Sequence, residues 1–447
     1  MAKERQNDNL NHGTVDSTQI DELREKLAAG YIQETFDPIE DDADYDTDAA
    51  VAEFLQMFGS GEHTVLKGYD WKINIPSAIA DDDDFHGSLY GVIREETESI
   101  YVFDAPLYMQ ESYRIGYIYG CSDEYPADNA DVPVQGRFVN GELVIEYHYQ
   151  NQNIPVQNVR IKKYDTVAKL FSRNTGLLES DAMLEKRAVL VGCGSVGSFV
   201  AMELARSGVG KFVLCDTDIL EMHNICRHQC GFEDLGRYKV DAVKDKILNI
   251  NPRAEVITYR KIIQDIPDDE LLPLLGRDTI IIGGGDNRGS ADWGCMLATR
   301  TDSAFVATAC WTRAFAGEVF YWESGRSLSC YKCALGDLID NDRPESHNHY
   351  FGSDEEQGSL AFEPGIATDI DFVTIIAVKV ALDLLNRDNP NYTPRVVPYL
   401  KQYTWICNTN STKIGGERAG IFSYPLQVTR SLAVNRNANC PYCGDHH

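Results

Sequence analysis

Apolar and polar positions change their spacing twice along this chain. The first forty or so residues are polar, and residues 40–48 read EDDADYDTD, with few apolar anchors, so residues 1–50 form a flexible acidic lead-in. From Val51 to about residue 165 apolar positions alternate with polar ones as in half-buried strands. The alternation is clearest at 137–139 and 142–149, which flank Asn140-Gly141, a dipeptide suited to the positive φ angles of a tight hairpin. Residues 51–165 are therefore expected to form a small β-rich domain. Beyond 165 the spacing becomes that of alternating buried strands and helices. Arg187–Val191 reads as a strand, 196–207 as a helix closed by Gly208, and Lys211–Cys215 as the next strand. The short apolar runs 279–282 and 305–308 suit buried parallel strands, and 371–386 is a long apolar helix candidate. The pattern predicts an α/β domain over 166–447 with a mostly parallel, Rossmann-like sheet.

Length and composition agree with two cores: 447 residues, of which 43% are apolar. No run reaches the roughly eighteen apolar residues of a membrane span, and the N-terminus MAKERQNDNLNHG lacks the apolar centre of a signal peptide. A cytoplasmic protein is expected. A formal charge of −28 makes nucleic acid and anionic lipid poor general partners. The run Asp81 to Asp84 reads as a solvated loop.

The first candidate chemistry is Gly192-Cys-Gly194-Ser-Val-Gly197, placed between a strand and a helix. Glycines there permit a tight turn and let phosphates approach the helix N–H groups. Asp216 follows 19 residues after Gly197, at the end of the second strand, where a carboxylate accepts from a ribose. To this point an NAD-dependent oxidoreductase fits equally well. The next segments separate the readings: Asp216-Thr-Asp218 leads into Asn224-Ile-Cys-Arg227, then Gly236-Arg-Tyr-Lys239, then Gly285-Asp286-Asn287. Here the sequence, from about residue 170 to 447, resembles the ThiF/MoeB family, which includes the adenylation domains of ubiquitin-activating enzymes.

That resemblance implies an enzyme that uses ATP and Mg²⁺ to adenylate the C-terminal carboxylate of a ubiquitin-like protein or peptide, releasing pyrophosphate. It also implies roles. Arg227 and Lys239 would offset phosphate charge, Asp286 would hold magnesium, Asp216 would bind ribose, and Asp218 and Asn224 would line the pocket. Arg173, in Phe171-Ser-Arg173-Asn-Thr-Gly176, falls where the family carries an arginine that crosses a dimer interface, which implies a homodimer. The competing readings are the NAD oxidoreductase, which leaves Arg227, Lys239 and Asp286 without a role, and a catalytically inactive ThiF-like scaffold.

Cysteine spacing adds a metal site. Cys330-Tyr-Lys-Cys333 and Cys440-Pro-Tyr-Cys443 are two C-x-x-C pairs, and four thiolates complete the tetrahedron of a structural Zn²⁺. Many relatives also carry a thiol in a crossover segment before the long final helix. In this chain Ala361 stands at the aligned position, so no internal thioester is expected. Cys310 and Cys407 are the alternative nucleophiles that remain; Cys193, Cys215, Cys226, Cys230 and Cys295 read as packing. Cys121 in the N-terminal domain is not preceded by His-Pro-Asn, so that domain is expected to serve recognition or dimerisation. His347 and His349 read as exposed loop residues.

Overall fold

The computed structural model describes residues 71–120, 132–148, 159–284, 288–336 and 364–444. The expected lead-in at 1–50, Cys121, Asp286, His347, His349 and Ala361 lie outside these residues.

The first sheet is built from β1 (Lys72–Pro76), β2 (Gly87–Arg94), β3 (Ser99–Val102), β4 (Arg114–Tyr119), β5 (Val134–Val139), β6 (Glu142–Tyr147) and β7 (Arg160–Tyr164), in the order β6-β5-β4-β2-β3-β1-β7. The hairpin read from Asn140-Gly141 joins β5 to β6, with φ of 53° and 81° at its two turn residues. Two successive left-handed residues match the twist of the flanking strands, and this fixes the register. One face of the sheet carries its own core, with Trp71, Ile73, Leu89, Ile118, Ile145 and Tyr147 buried.

The second sheet comprises β8 (Arg187–Val191), β9 (Lys211–Cys215), β10 (Glu255–Tyr259), β11 (Thr279–Gly283), β12 (Ala304–Cys310), β13 (Ala316–Trp322), β14 (Tyr403–Cys407) and β15 (Val428–Leu432). Its order is β10-β9-β8-β11-β12-β13-β14-β15. Strands β8 to β12 are all parallel, and β13 to β15 extend the sheet antiparallel. The expected mostly parallel α/β sheet is present. The antiparallel extension was not legible: all seven residues of β13 are buried, so the strand shows no alternation.

Helices cover both faces. Helix α1 (Ser195–Arg206), α2 (Lys239–Ile250), α3 (Arg288–Thr301), α4 (Tyr331–Leu335) and α5 (Ala367–Leu385) appear in that order. Val200 of α1 and Val373 and Ala377 of α5 pack with Leu190 and Leu214, while α3 places Ala291 and Cys295 against Val189, Val213 and Ile281 on the opposite face. α5 starts four residues before the expected 371, at Ala367. The polar Thr368 and Asp369 of its first turn hid that start.

The two sheets are fastened through α2 and the residue-251–253 turn after it. Asp104 pairs with Arg253, and the Tyr108 hydroxyl donates to Asn249. β8 is the switch strand, since the chain leaves it toward β9 on one side and returns as β11 on the other. The crevice beyond the carboxyl ends of such strands is where open α/β sheets bind ligands.

Candidate functional site

The turn after β8 is shaped by its glycines. Gly192 has φ of 97°, and a Cβ on Gly197 would lie 1.9 Å from the Gly192 carbonyl oxygen, so neither position accepts a side chain without moving the backbone. Gly194 is the N-cap of α1, and a Cβ there would project into open space. The first N–H groups of α1 have no partner within the helix, which makes this end a place for anionic oxygens. From the other side of the crevice, the Gly284 N–H donates to the Val191 carbonyl at 3.2 Å, bringing the end of β11 against the same turn.

Asp216 sits half-buried just past β9 and ties the parts together. Its Oδ2 accepts the Cys193 N–H at 2.6 Å and its Oδ1 accepts the Asp218 N–H at 2.8 Å. Each oxygen keeps a second lone pair for another donor. Asp218 in turn receives the Lys239 ammonium at 2.8 Å, from the first residue of α2. The structure therefore brings Gly192, Gly194, Gly197, Asp216, Asp218 and Lys239 into one connected group.

Asn224 and Arg227 lie in the turn that follows. The Asn224 Oδ1 accepts the Glu221 N–H at 2.9 Å, and its carbonyl accepts the Arg227 N–H at 3.0 Å, so Asn224 organises the turn from which the half-buried Arg227 projects. His228, which the sequence reading passed over, is buried there, with Nε2 2.8 Å from the Cys193 carbonyl and Nδ1 accepting the Cys230 N–H at 3.0 Å. No sequence pattern distinguished it, because both its partners are backbone groups.

Arg173 is not brought to this group within one chain. It is exposed in the turn after residue 170, and its neighbour Asn174 donates to the carbonyl of Arg206, the last residue of α1. The glycine turn caps the opposite end of that helix, about 18 Å away for twelve residues.

The four paired cysteines do converge. Sγ of Cys330 lies 3.7 Å from Cys333 and 3.5 Å from Cys440, and Cys333 lies 3.8 Å from Cys443. Zn–S bonds of about 2.3 Å give tetrahedral edges of about 3.8 Å, so the cluster has the size that zinc requires. Packing holds it there: the Cys295 sulfur on α3 accepts the Tyr331 N–H at 3.3 Å, and a Cβ on Gly444 would meet the Cys440 carbonyl at 2.4 Å.

Among the other described cysteines, Cys193, Cys215, Cys230, Cys295 and Cys407 are buried, Cys310 is half-buried and Cys226 is exposed. Burial pushes the Cys215 and Cys230 thiols up to about 12 and raises Cys407 as well. Cys407, one of the two alternative nucleophiles, is enclosed by Phe315, Ala419 and Phe422. Asp82, Asp83 and Asp84 are exposed, as a solvated loop should be. No helix among the described residues is long and apolar enough to cross a membrane.

Comparison with known proteins places these features in a family. A model described as the ThiF family matches residues 168–410. Over 115 residues the chain is 36% identical to the probable molybdopterin-synthase adenylyltransferase of Porphyra purpurea, covering 25% of this chain and 29% of that protein. Over 163 residues it is 26% identical to ubiquitin-like modifier-activating enzyme 5 of Caenorhabditis elegans, covering 35% of this chain and 39% of that protein. The chain thus spans well under half the length of these two relatives. A solved structure of Escherichia coli MccB with MccA-N7isoASN aligns with a TM-score of 0.43 and 19% identity, covering 59% of this chain and 69% of that one.

Proposed function

The chain belongs to the ThiF family, and from that premise we propose that it adenylates the C-terminal carboxylate of a ubiquitin-like protein or a peptide. A carboxylate oxygen of the substrate attacks the α-phosphorus of ATP, the bond to the β-phosphate oxygen breaks, and pyrophosphate leaves. Charge on the phosphates grows along this path, so fixed donors and cations aimed at them lower the barrier.

The observation that carries this reading is Asp216, held at the switch point by two backbone N–H groups, with Lys239 and Asp218 beside it. In the proposed assignment the open end of α1 and Gly192, Gly194 and Gly197 receive the phosphates. Asp216 takes the ribose, Asp218 and Asn224 line the pocket, and Arg227 and Lys239 offset the developing charge. Asp286 would hold Mg²⁺, which would supply positive charge against the phosphates. The oxidoreductase reading leaves Lys239 at the start of α2 without a role, and two curated relatives are named an adenylyltransferase and a modifier-activating enzyme.

The remaining roles belong to the same proposal. Arg173 serves the site of a second copy in a homodimer, a reading supported by its place at the end of α1 away from the glycine turn. Cys330, Cys333, Cys440 and Cys443 would hold a Zn²⁺ in a structural role. Residues 51–165 act in recognition or dimerisation beside the adenylation domain at 166–447. A reduced four-thiolate site fits the cytoplasm, and the strong negative charge disfavours nucleic acid as a partner.

Pyrophosphate exchange into ATP, measured with candidate ubiquitin-like proteins and short peptides, tests the proposal. Exchange that depends on a free C-terminal carboxylate is expected. A chain that binds NAD and shows no ATP binding would sink it.

A further inference from the structure

We propose that His228 is a positioning residue of the nucleotide site, fixing the glycine turn against the turn that carries Arg227. The inference rests on the nucleotide-binding reading above. Cys193 lies between Gly192 and Gly194, and both of its backbone polar groups are engaged: the N–H with Asp216 at 2.6 Å, the carbonyl with His228 at 2.8 Å. The peptide groups on both sides of Cys193 are thus held, which fixes the middle of the glycine turn. A second fastening runs in parallel, from the Gln229 N–H to the Ser198 hydroxyl oxygen at 3.3 Å.

The two partners of the ring settle its protonation. The Cys230 backbone N–H can only donate, so Nδ1 must be bare; the Cys193 carbonyl can only accept, so Nε2 must carry the hydrogen. Only the neutral Nε2–H tautomer satisfies both. Adding a proton to Nδ1 would set one N–H against another and break the turn. Burial disfavours that proton and holds the His228 pKa below its ordinary value, with the Cys193 carbonyl opposing. Of the charged groups facing the ring, Lys239 at the start of α2 acts with burial, while Asp216 after β9 and Asp234 before α2 act against it. The sign follows. The arrangement is intact at neutral pH; the stability it contributes declines below the ordinary histidine value, and the ring itself takes up the proton only as the pH falls through the depressed one.

The substitutions separate the two ring nitrogens. In His228→Gln the amide nitrogen reaches the place of Nε2 and can donate to Cys193; in His228→Asn the shorter side chain reaches only the place of Nδ1. ATP affinity is measured by titration calorimetry on the full-length chain with magnesium, from about pH 8 to about pH 5.5. His228→Asn is expected to weaken ATP binding about tenfold at neutral pH, as loss of one buried hydrogen bond does. His228→Gln should bind within a few-fold of the parent and lack the parent's additional loss of affinity at acid pH. Equal binding by the parent and His228→Asn, or equal weakening in both variants, would overturn the inference while leaving the nucleotide site standing. A parent that binds no ATP would remove the functional reading itself. If neither variant folds, the ring ¹⁵N shifts of the parent decide: hydrogen on Nε2 is expected, and hydrogen on Nδ1 would overturn the proposal.

Discussion

Lys239 and Asp218 are joined twice, by the ammonium on Oδ2 at 2.8 Å and by the Lys239 N–H on the Asp218 carbonyl at 2.9 Å. A lysine that opens a helix opposes the helix dipole at a cost of about 0.3–1 kcal/mol, and Asp218 offsets part of it. The arrangement holds a cation at a point where local energetics disfavour one, which suits a group kept for phosphate. Lys239→Ala should lower pyrophosphate exchange by about 100-fold or more. The Asp218 side chain is 62% exposed, so the ion pair itself contributes only about 0–1 kcal/mol, while the Lys239 stem is buried and its truncation should lower the melting temperature modestly. Unchanged exchange in the folded variant would exclude a phosphate role for Lys239.

Part of this site was legible because its residues carry type and order together. The glycine turn, Asp216 and Lys239 are recognised by their positions relative to strands whose apolar runs mark them plainly. β8 and β9 fall where the sequence alone predicts them, at Arg187–Val191 and Lys211–Cys215. His228 escaped because it works through the backbone of Cys193 and Cys230, which any residue types would offer. Glu318 escaped for another reason. It is a buried carboxylate inside the otherwise apolar β13, and its partners Trp311 and Tyr403 come from either side of the sheet's antiparallel end, far off in sequence for Tyr403. Side-chain partners across a fold are invisible to local spacing.

The cysteine quartet joins α4 to residues about a hundred positions later, and the second pair lies beyond the stretch that the family model matches. Metal analysis of protein purified without chelators should return one zinc per chain, and strong chelation should lower the melting temperature. Cys440→Ser should lose most of the zinc and with it the order of the C-terminal segment, read as faster proteolysis there. Zinc-free protein with the parent's melting temperature would refute a structural metal.

Arg173 and the glycine turn stand at opposite ends of α1, so the proposed action of this arginine on ATP is on another copy's site. Arg173→Ala and Asp286→Ala should each be inactive alone. Mixed and allowed to exchange subunits, they should recover up to about a quarter of the parental activity, since half of the dimers are mixed and each has one complete site. No recovery in a preparation shown to contain mixed dimers would place Arg173 outside the reaction, or Asp286 and Arg173 on the same site.

The activated acyl group should leave as the adenylate, without passing through a thioester on this chain. A transferring thiol must be reachable and must ionise near neutral pH. Burial denies both to Cys193, Cys215, Cys230, Cys295 and Cys407, whose thiols are all raised above their ordinary value. Zinc would occupy Cys330, Cys333, Cys440 and Cys443, and alanine stands at 361 in the aligned crossover position. Of the described cysteines that leaves Cys310, half-buried at the end of β12, and Cys226, exposed in the turn beside Arg227 with its sulfur 3.4 Å from the His223 carbonyl. Neither lies in the segment before α5. Incubation with ATP, magnesium and the cognate substrate, followed by a non-reducing gel, should show no thiol-sensitive adduct, while AMP-linked substrate is detected by mass spectrometry. A stoichiometric adduct that disappears in Cys226→Ser, Cys310→Ser or Cys121→Ser would instead identify a nucleophile and make the adenylate an intermediate on the way to it.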